Sequence, residues 1–123
     1  MTKERIILGK IGEDLARQRL KDLGYRIIKA NYTCALGEID LIARDGDVLV
    51  FVEIKTRKKP VPLGFAKEAV TKKKQVQLSK VALAYMKYNN LWGSKARFDV
   101  VAVGVSEGKK EIEIVKDAFE LAY

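Results

Sequence analysis

Two stretches of the chain repeat apolar residues at the spacing of an amphipathic helix. The first covers residues 9–23 and stops at Gly24, a residue type that commonly follows a helix end. The second covers residues 71–88, and its apolar stripe consists of Leu78, Val81, Ala82 and Tyr85. The pattern therefore predicts two long helices, one at the start of the chain and one in its second half.

Alternating and continuous apolar runs between these helices predict strands. Residues 25–30 read as a short strand, followed by a loop over residues 31–37. Residues 38–43 and 48–55, joined around Asp45-Gly46, predict a β-hairpin. The first half of the chain is thus expected to hold one helix and three strands.

The remaining segments complete the predicted fold. Residues 56–64 are basic and contain two prolines, which predicts a mobile loop. Residues 97–105 predict a strand, turned by residues 107–109 into a last strand over residues 111–115. The order α-β-β-β-α-β(-β) predicts an α/β fold with a mixed sheet flanked by helices.

The hairpin carries charges where a buried strand should be apolar. Asp40 interrupts its first strand, and Glu53 and Lys55 interrupt its second. An ionised group removed from water loses hydration worth several kcal/mol, so it persists only when paired or bound, commonly to a metal. These residues are therefore the first candidates for a functional site.

The expected register brings the three charges together. A two-residue turn at Asp45-Gly46 would place Asp40 opposite Phe51, and Asp40, Glu53 and Lys55 would then share one face. The carboxylates would be diagonal neighbours with Cβ atoms about 7–8 Å apart, a gap that one cation can close. Lys55 could orient a water or neutralise charge in the transition state. The same spacing also fits a cross-strand ion pair on a solvated face.

The composition limits which metal such a site could hold. The chain has 123 residues, no histidine and one cysteine, Cys34. This excludes the usual base of serine and cysteine hydrolases, a cysteine-based zinc site and an internal disulfide. Any metal must be held by oxygen, which selects a hard cation, Mg²⁺ or Mn²⁺. With 48% hydrophobic residues, the chain suits one domain over residues 1–123.

Positive charge is in excess and concentrates next to the candidate site. The chain has 24 Lys and Arg against 16 Asp and Glu, a formal charge of +8. Charge runs are usually solvated faces, but the run over residues 55–80 would also track a phosphate backbone with little sequence specificity. We therefore expect nucleic acid as the partner. The candidate contacts are Arg57, Lys58, Lys59, Lys73 and Lys74.

Targeting and membrane-spanning patterns are missing from the sequence. The apolar run at residues 6–8 is too short for a secretory signal, and no later run is long enough to span a bilayer. We therefore expect a cytoplasmic protein with no membrane partner.

Two helix residues border the predicted apolar stripes. Glu13 lies at the edge of the first helix's apolar arc, so it could reach the sheet or pair with Arg17 in solvent. Lys74 falls on the stripe of the second helix, and its amine could extend into water or approach a phosphate. Periodicity leaves both alternatives open.

Several short motifs, in this order and spacing, resemble the bacterial YraN family. They are Gly12-Glu13, GEIDLI at residues 37–42, FVEIKTR at residues 51–57, Lys74-Gln75 and RFDV at residues 97–100. The resemblance covers nearly the whole chain. The family is similar to the PD-(D/E)XK nuclease superfamily, with archaeal Holliday junction resolvases as its nearer relatives.

The resemblance implies a chemical role for residues already singled out. It makes Asp40 and Glu53 metal ligands, with the Ile54 carbonyl as a third ligand. It makes Lys55 the catalytic lysine. Glu13 matches an acid in the first helix of the resolvases.

Other matched positions carry weaker implications. Lys74-Gln75 match polar residues of the helix that follows the site, so Gln75 joins the expected nucleic-acid contacts. Ile39 stands where the superfamily motif has a proline. Glu38 and Asp99 match family positions without an assigned role, although Glu38 would face Glu53 in the expected register.

Two functions follow. The Asp40, Glu53 and Lys55 set favours a Mg²⁺- or Mn²⁺-dependent endonuclease that hydrolyses phosphodiester bonds in nucleic acid, with DNA favoured over RNA and branched or structured DNA among the candidate substrates. The alternative is a non-catalytic nucleic-acid-binding module that acts with recombination or RNA-processing machinery. The resemblance further implies a homodimer and a restriction-endonuclease-like mixed sheet flanked by helices.

Overall fold

A computed structural model describes residues 2–121 as a five-stranded sheet with helices on both faces. Strands that follow one another in the chain are also neighbours in the sheet, and all pairs are antiparallel except β3 and β4. This confirms the predicted α/β fold and its mixed sheet. The elements are α1 (Lys3–Asp22), β1 (Arg26–Cys34), β2 (Gly37–Asp45), β3 (Val48–Arg57), α2 (Phe65–Glu68), α3 (Lys72–Tyr88), β4 (Ala96–Ser106) and β5 (Lys109–Phe119).

Each face of the sheet is covered by one long helix. Ala16 and Leu20 of α1 pack on one face, and α3 packs on the other. The four residues predicted for the stripe of the second helix are all buried, which confirms that prediction. Because β3 lies at the centre of the sheet, Glu53 on it is withdrawn from bulk water.

The first helix begins earlier than predicted. The Thr2 side chain accepts a hydrogen bond from the Arg5 N–H at 3.2 Å, so the helix starts at Lys3. Its first turns are exposed and lack the apolar stripe on which the prediction rested. Further along, Gly12 lets α1 approach the sheet, since a Cβ there would overlap the Thr56 side chain.

The hairpin turns one residue later than predicted, at Gly46-Asp47. Gly46 has a φ of 61°, a left-handed conformation that glycine adopts without a Cβ clash, so it takes the first turn position. Ile42, rather than Asp40, therefore pairs with Phe51. The predicted register was wrong by two residues.

Both edge strands are longer than predicted. β1 runs to Cys34 and replaces most of the loop expected over residues 31–37, and β5 runs to Phe119 instead of residue 115. No residue of either strand is fully buried. An edge strand needs few apolar residues, so its sequence carries a weak strand signal.

The segment predicted to be a mobile basic loop is tied to β5. Glu111 accepts a hydrogen bond from the Val61 N–H at 2.9 Å, and Glu113 accepts from Gly64 at 3.1 Å and Ala66 at 2.6 Å. Glu113 thus caps α2, a short helix that the sequence analysis missed. A loop is present over residues 58–64 as predicted, and its tether could not be predicted because these acceptors lie 47 to 50 residues further along the chain.

Candidate active site

The candidate site lies where β2 and β3 part. Counted from the hairpin turn, their last pair is Leu41 with Val52, and Asp40 is the next residue of β2. Beyond this point the Asp40 carboxylate points across the gap and accepts a hydrogen bond from the Ile54 N–H at 2.7 Å. The side chain of Asp40 therefore replaces a backbone acceptor at the end of the hairpin.

The regular alternation assumed for β2 is interrupted at Asp40. Ile39 and Ile42, three residues apart, both pack in the cluster beneath α3. Asp40 and Glu53 each follow the last pair of β2 and β3, Leu41 with Val52, and their side chains are hydrogen-bonded to each other. The two carboxylates are therefore in direct contact and are not the predicted diagonal pair. Glu38 does not face Glu53 and is exposed.

Glu53 is the buried member of the site, at 6% exposed. Lys55 on β3 and Lys74 on α3 each place Nζ 3.8 Å from its Oε2. Burial, together with the hydrogen bond and negative charge of Asp40, raises the pKa of Glu53 to about 8 despite the two lysines. Near neutral pH the carboxylate pair therefore holds a proton that a cation could replace.

Glu13 reaches the same region from α1. Its Oε1 accepts a hydrogen bond from Asn31 Nδ2 at 3.0 Å, in place of the Arg17 pairing that periodicity also allowed. An open cavity of about 1230 Å³ is lined by Glu13 and Asn31 together with Asp40 and Lys55. Glu13 thus lies on the wall of the cavity that leads to Asp40.

Asn31 is a site residue that the sequence analysis missed. It lies in β1 with a φ of 53°, a left-handed conformation that asparagine tolerates better than most residues. An isolated asparagine inside a predicted loop gives no reason to expect this contact. Its importance comes from Glu13, 18 residues earlier in the chain.

The predicted phosphate contacts are only partly directed at the cavity. Lys74 is brought to Glu53, but the Arg57 guanidinium stacks 4.7 Å from the centre of the Phe65 ring. The Gln75 side chain donates to the Val70 carbonyl at 3.1 Å. Arg57 and Gln75 therefore hold the crossover segment between β3 and α3.

The other predicted basic contacts are on the surface. Lys58 lines the rim of the cavity, where its amine contacts the Glu4 carboxylate. Lys59 and Lys73 are exposed. The basic segment therefore borders the site on the side where β3 ends.

Asp99, which the sequence left without a role, anchors a buried network. Its carboxylate accepts hydrogen bonds from the Tyr25 hydroxyl at 2.6 Å, Arg97 Nε at 2.9 Å and the Asp117 N–H at 2.9 Å. Burial and the adjacent Asp99 raise the pKa of Tyr25 well above its usual value, so Tyr25 remains a donor. None of these residues lines the cavity, so the network is structural.

The donor set of the site fits a hard cation bound by few protein ligands. Within residues 2–121 there is no group of three or more Asp, Glu, His or Cys side chains that could hold a metal ion. Asp40 and Glu53 supply two carboxylates, and Mg²⁺ commonly takes one or two and keeps several waters. Mg²⁺ or Mn²⁺ would suit this pair better than a metal that requires a complete protein cage.

The sheet topology and the flanking helices define a mixed α/β protein. Residues 12–103 match the sequence profile of the Uncharacterised protein family UPF0102, and this chain belongs to that family. It is 50% identical to a UPF0102 protein of Syntrophus aciditrophicus over 115 residues, 94% of this chain and 90% of that protein. It is 40% identical to one of Moorella thermoacetica over 121 residues, 97% of this chain and 100% of that protein. These matches confirm the YraN-type resemblance.

Two solved structures align with nearly all of this chain. One is the crystal structure of SSO0001, with a TM-score of 0.38 and 17% identity over 96% of this chain and 54% of that one. The other is Pyrococcus furiosus SfsA in complex with Ca²⁺, with a TM-score of 0.37 and 14% identity over 91% and 62%. This chain therefore spans little more than half the length of each.

None of the helices within residues 2–121 is both long enough and apolar enough to cross a membrane.

Proposed function

We propose that the protein is a Mg²⁺- or Mn²⁺-dependent endonuclease that hydrolyses phosphodiester bonds in nucleic acid, with DNA as the expected substrate. The proposal rests on one observation: Asp40, Glu53 and Lys55 lie together beside an open cavity at the end of β3. Metal-assisted hydrolysis needs oxygen ligands, a positive group near the attacking water and access for the substrate. This corner of the molecule supplies all three.

Asp40 and Glu53 would hold the cation. When bound, the cation would supply an activated water and polarise a phosphoryl oxygen. Lys55 both approaches Glu53 and lines the cavity, so its amine can stabilise negative charge that develops on the phosphate. Lys74 adds a second positive charge that favours the ionised form of Glu53.

Glu13 presents a further carboxylate to the cavity. Because Asn31 fixes one of its oxygens, the side chain has a defined position on the wall. A carboxylate so placed can accept a hydrogen bond from water and orient it. Glu13 is therefore the candidate for positioning a water in the cavity.

The test is cleavage of defined DNA substrates by purified protein. Junction, flap, single-stranded and duplex DNA are incubated with Mg²⁺, with Mn²⁺ or with EDTA, and cleavage is expected only with metal. Asp40→Asn and Glu53→Gln should lower the rate at least about a hundredfold, since each removes a ligand of the cation. Glu38→Gln, an exposed acid on the same strand, is the matched control and should cleave normally. Cleavage that survives in both ligand variants would contradict the proposal.

One feature favours the alternative of a non-catalytic binding module. The two carboxylates have partners without a metal, since Asp40 accepts from the Ile54 N–H and Glu53 lies near Lys55 and Lys74. Such a module would bind nucleic acid through its basic segment and act with recombination or RNA-processing machinery.

This alternative makes a different prediction in EDTA. Binding should weaken when Lys58, Lys59 or Lys73 is changed to Gln, and Asp40→Asn should not weaken it. Cleavage should be undetectable with either metal. Binding unaffected by all three lysine substitutions would leave this function without a basis.

A further inference from the structure

The cavity beside the site has an apolar wall built by the start of α1. The helix lies closest to β3 where Gly12 meets Thr56, and its preceding turns extend along the cavity. Ile6 and Leu8 line this side, together with the polar residues near the candidate site. Ile6 is 56% exposed, so its side chain is available for contact with a ligand in the cavity.

The outer surface of a regular duplex has no large apolar face that could pack on this wall. A duplex presents charged phosphates and sugars, and its bases are stacked and paired. Base faces become available where a strand is unpaired or a duplex is locally unstacked, and Ile and Leu are among the apolar side chains that contact bases exposed by unstacking. The position of Ile6 and Leu8 therefore favours a ligand whose bases are exposed.

The rest of the wall suits the backbone of the same ligand. Arg5 and Lys10 of α1 and Lys55 and Lys58 of the β3 end line the cavity. Lys58 pairs with Glu4 and Lys10 pairs with Asp14, both in exposed ion pairs, so a phosphate would compete with these two carboxylates. A groove lined by basic side chains can follow the phosphate backbone of one strand.

The size of the cavity leads to the same conclusion. Its volume is about 1230 Å³. Pockets for one small molecule commonly measure about 300–1,000 Å³. The cavity therefore has room for a few nucleotides of one strand.

We propose that this cavity binds an unpaired segment of nucleic acid. Phosphates would lie near Arg5, Lys55 and Lys58, and a base would pack on Ile6 and Leu8. Only the cleavage of the bound strand rests on the proposed function. Binding of an unpaired strand extends that function by naming its class of substrate. A single strand, or a locally unpaired stretch of a structured substrate, would pass beside Asp40.

Binding measured in EDTA tests the inference apart from cleavage. Fluorescence anisotropy would compare labelled single-stranded DNA, single-stranded RNA of the same sequence and the corresponding duplex. We expect at least one single strand to bind about tenfold more tightly than the duplex. The preferred single strand would also identify whether DNA or RNA is the ligand.

Two neighbouring isoleucines give a matched pair of variants. Ile6→Ala should weaken single-strand binding about fivefold, because part of an apolar contact is lost. Ile7→Ala is the control, since Ile7 is 53% exposed but does not line the cavity, and its affinity should be unchanged. The two variants should melt at similar temperatures.

The outcomes separate this inference from the proposed function. Equal affinity for single strand and duplex would overturn the inference, as would equal effects of Ile6→Ala and Ile7→Ala. Single-strand preference with the expected Ile6 effect supports it even when no cleavage follows with metal, and in that case the nuclease proposal fails while the binding site stands.

Discussion

At the scale of single residues, Glu53 is a buried carboxylate whose ionisation lowers the stability of the fold. Its carboxylate is buried against Asp40, and its pKa is raised to about 8. Groups with strongly shifted pKa values cluster at functional sites, because folding alone would favour a less costly side chain. The cost of Glu53 can be measured as a dependence of stability on pH.

The first prediction concerns Glu53→Gln. The ordinary pKa of the group is 4.5 and its folded value is about 8, so the folded protein retains a proton that the unfolded chain releases. Its contribution to stability is fully present below about pH 4.5 and is lost as pH rises through about 8. The melting temperature in EDTA should therefore fall more steeply with rising pH for the natural chain than for the variant. At high pH the variant should be the more stable by about 1–3 kcal/mol. Parallel curves would contradict this, and Glu38→Gln should follow the natural chain.

The second prediction concerns Asp99, the centre of the buried network. Asp99→Ala leaves Arg97 and the Tyr25 hydroxyl without their main acceptor, so the free energy of unfolding should fall by about 3–5 kcal/mol. Asp47→Ala removes an exposed ion pair with Lys95 and should have little effect. Urea denaturation measures both, and equal stabilities would contradict a structural role for Asp99.

At the scale of elements, two glycines of α1 should respond in opposite directions to the same substitution. A Cβ at Gly12 would overlap Thr56, so Gly12→Ala should destabilise the fold by about 1–3 kcal/mol. No atom lies within 4 Å of a Cβ at Gly9, so Gly9→Ala should stabilise the helix by about 0.5–1 kcal/mol. Chemical denaturation decides, and a stabilising Gly12→Ala would show that α1 does not pack as closely as described.

The elements that sequence patterns predicted correctly are those buried in the core. The stripe of α3 and the apolar runs of β2 and β3 are strongly periodic because one or both faces are covered. The hairpin register was wrong because it depends on the backbone angle of a single residue, Gly46. The tether of the crossover depends on Glu113, and no local pattern reports a partner so far away.

Some residues of the candidate site could also be recognised from the sequence, and others could not. Asp40, Glu53 and Lys55 were recognisable because charges stand out within apolar strands that are close in sequence. Asn31 was not, because it acquires its role through a contact with Glu13 of a different element. Sequence patterns therefore identified the chemistry of the site but did not predict the residue that positions Glu13.

At the scale of the whole molecule, an excess of eight positive charges should make nucleic-acid binding depend on salt. Lys58→Gln and Lys59→Gln should each reduce the slope of log K against log salt by about 1, because each removes one phosphate contact. Lys21→Gln and Lys87→Gln, in the last turns of α1 and α3, should leave the slope unchanged. Equal slopes for all four variants would mean that binding does not use the basic segment.

The single parallel pair of strands sets the order in which the molecule can assemble. β1, β2 and β3 are joined by two-residue turns, so Asp40 and Glu53 can meet as soon as this meander forms. Pairing of β4 with β3 must wait for the crossover that carries α3 and Lys74. Pulsed hydrogen exchange during refolding should therefore protect β2 amides before β4 amides, and the reverse order would contradict this. Glu53 then loses its contact with water in the same step that brings Lys74 of α3 close to it. The core therefore does not enclose this carboxylate before the positive charge of Lys74 is in place.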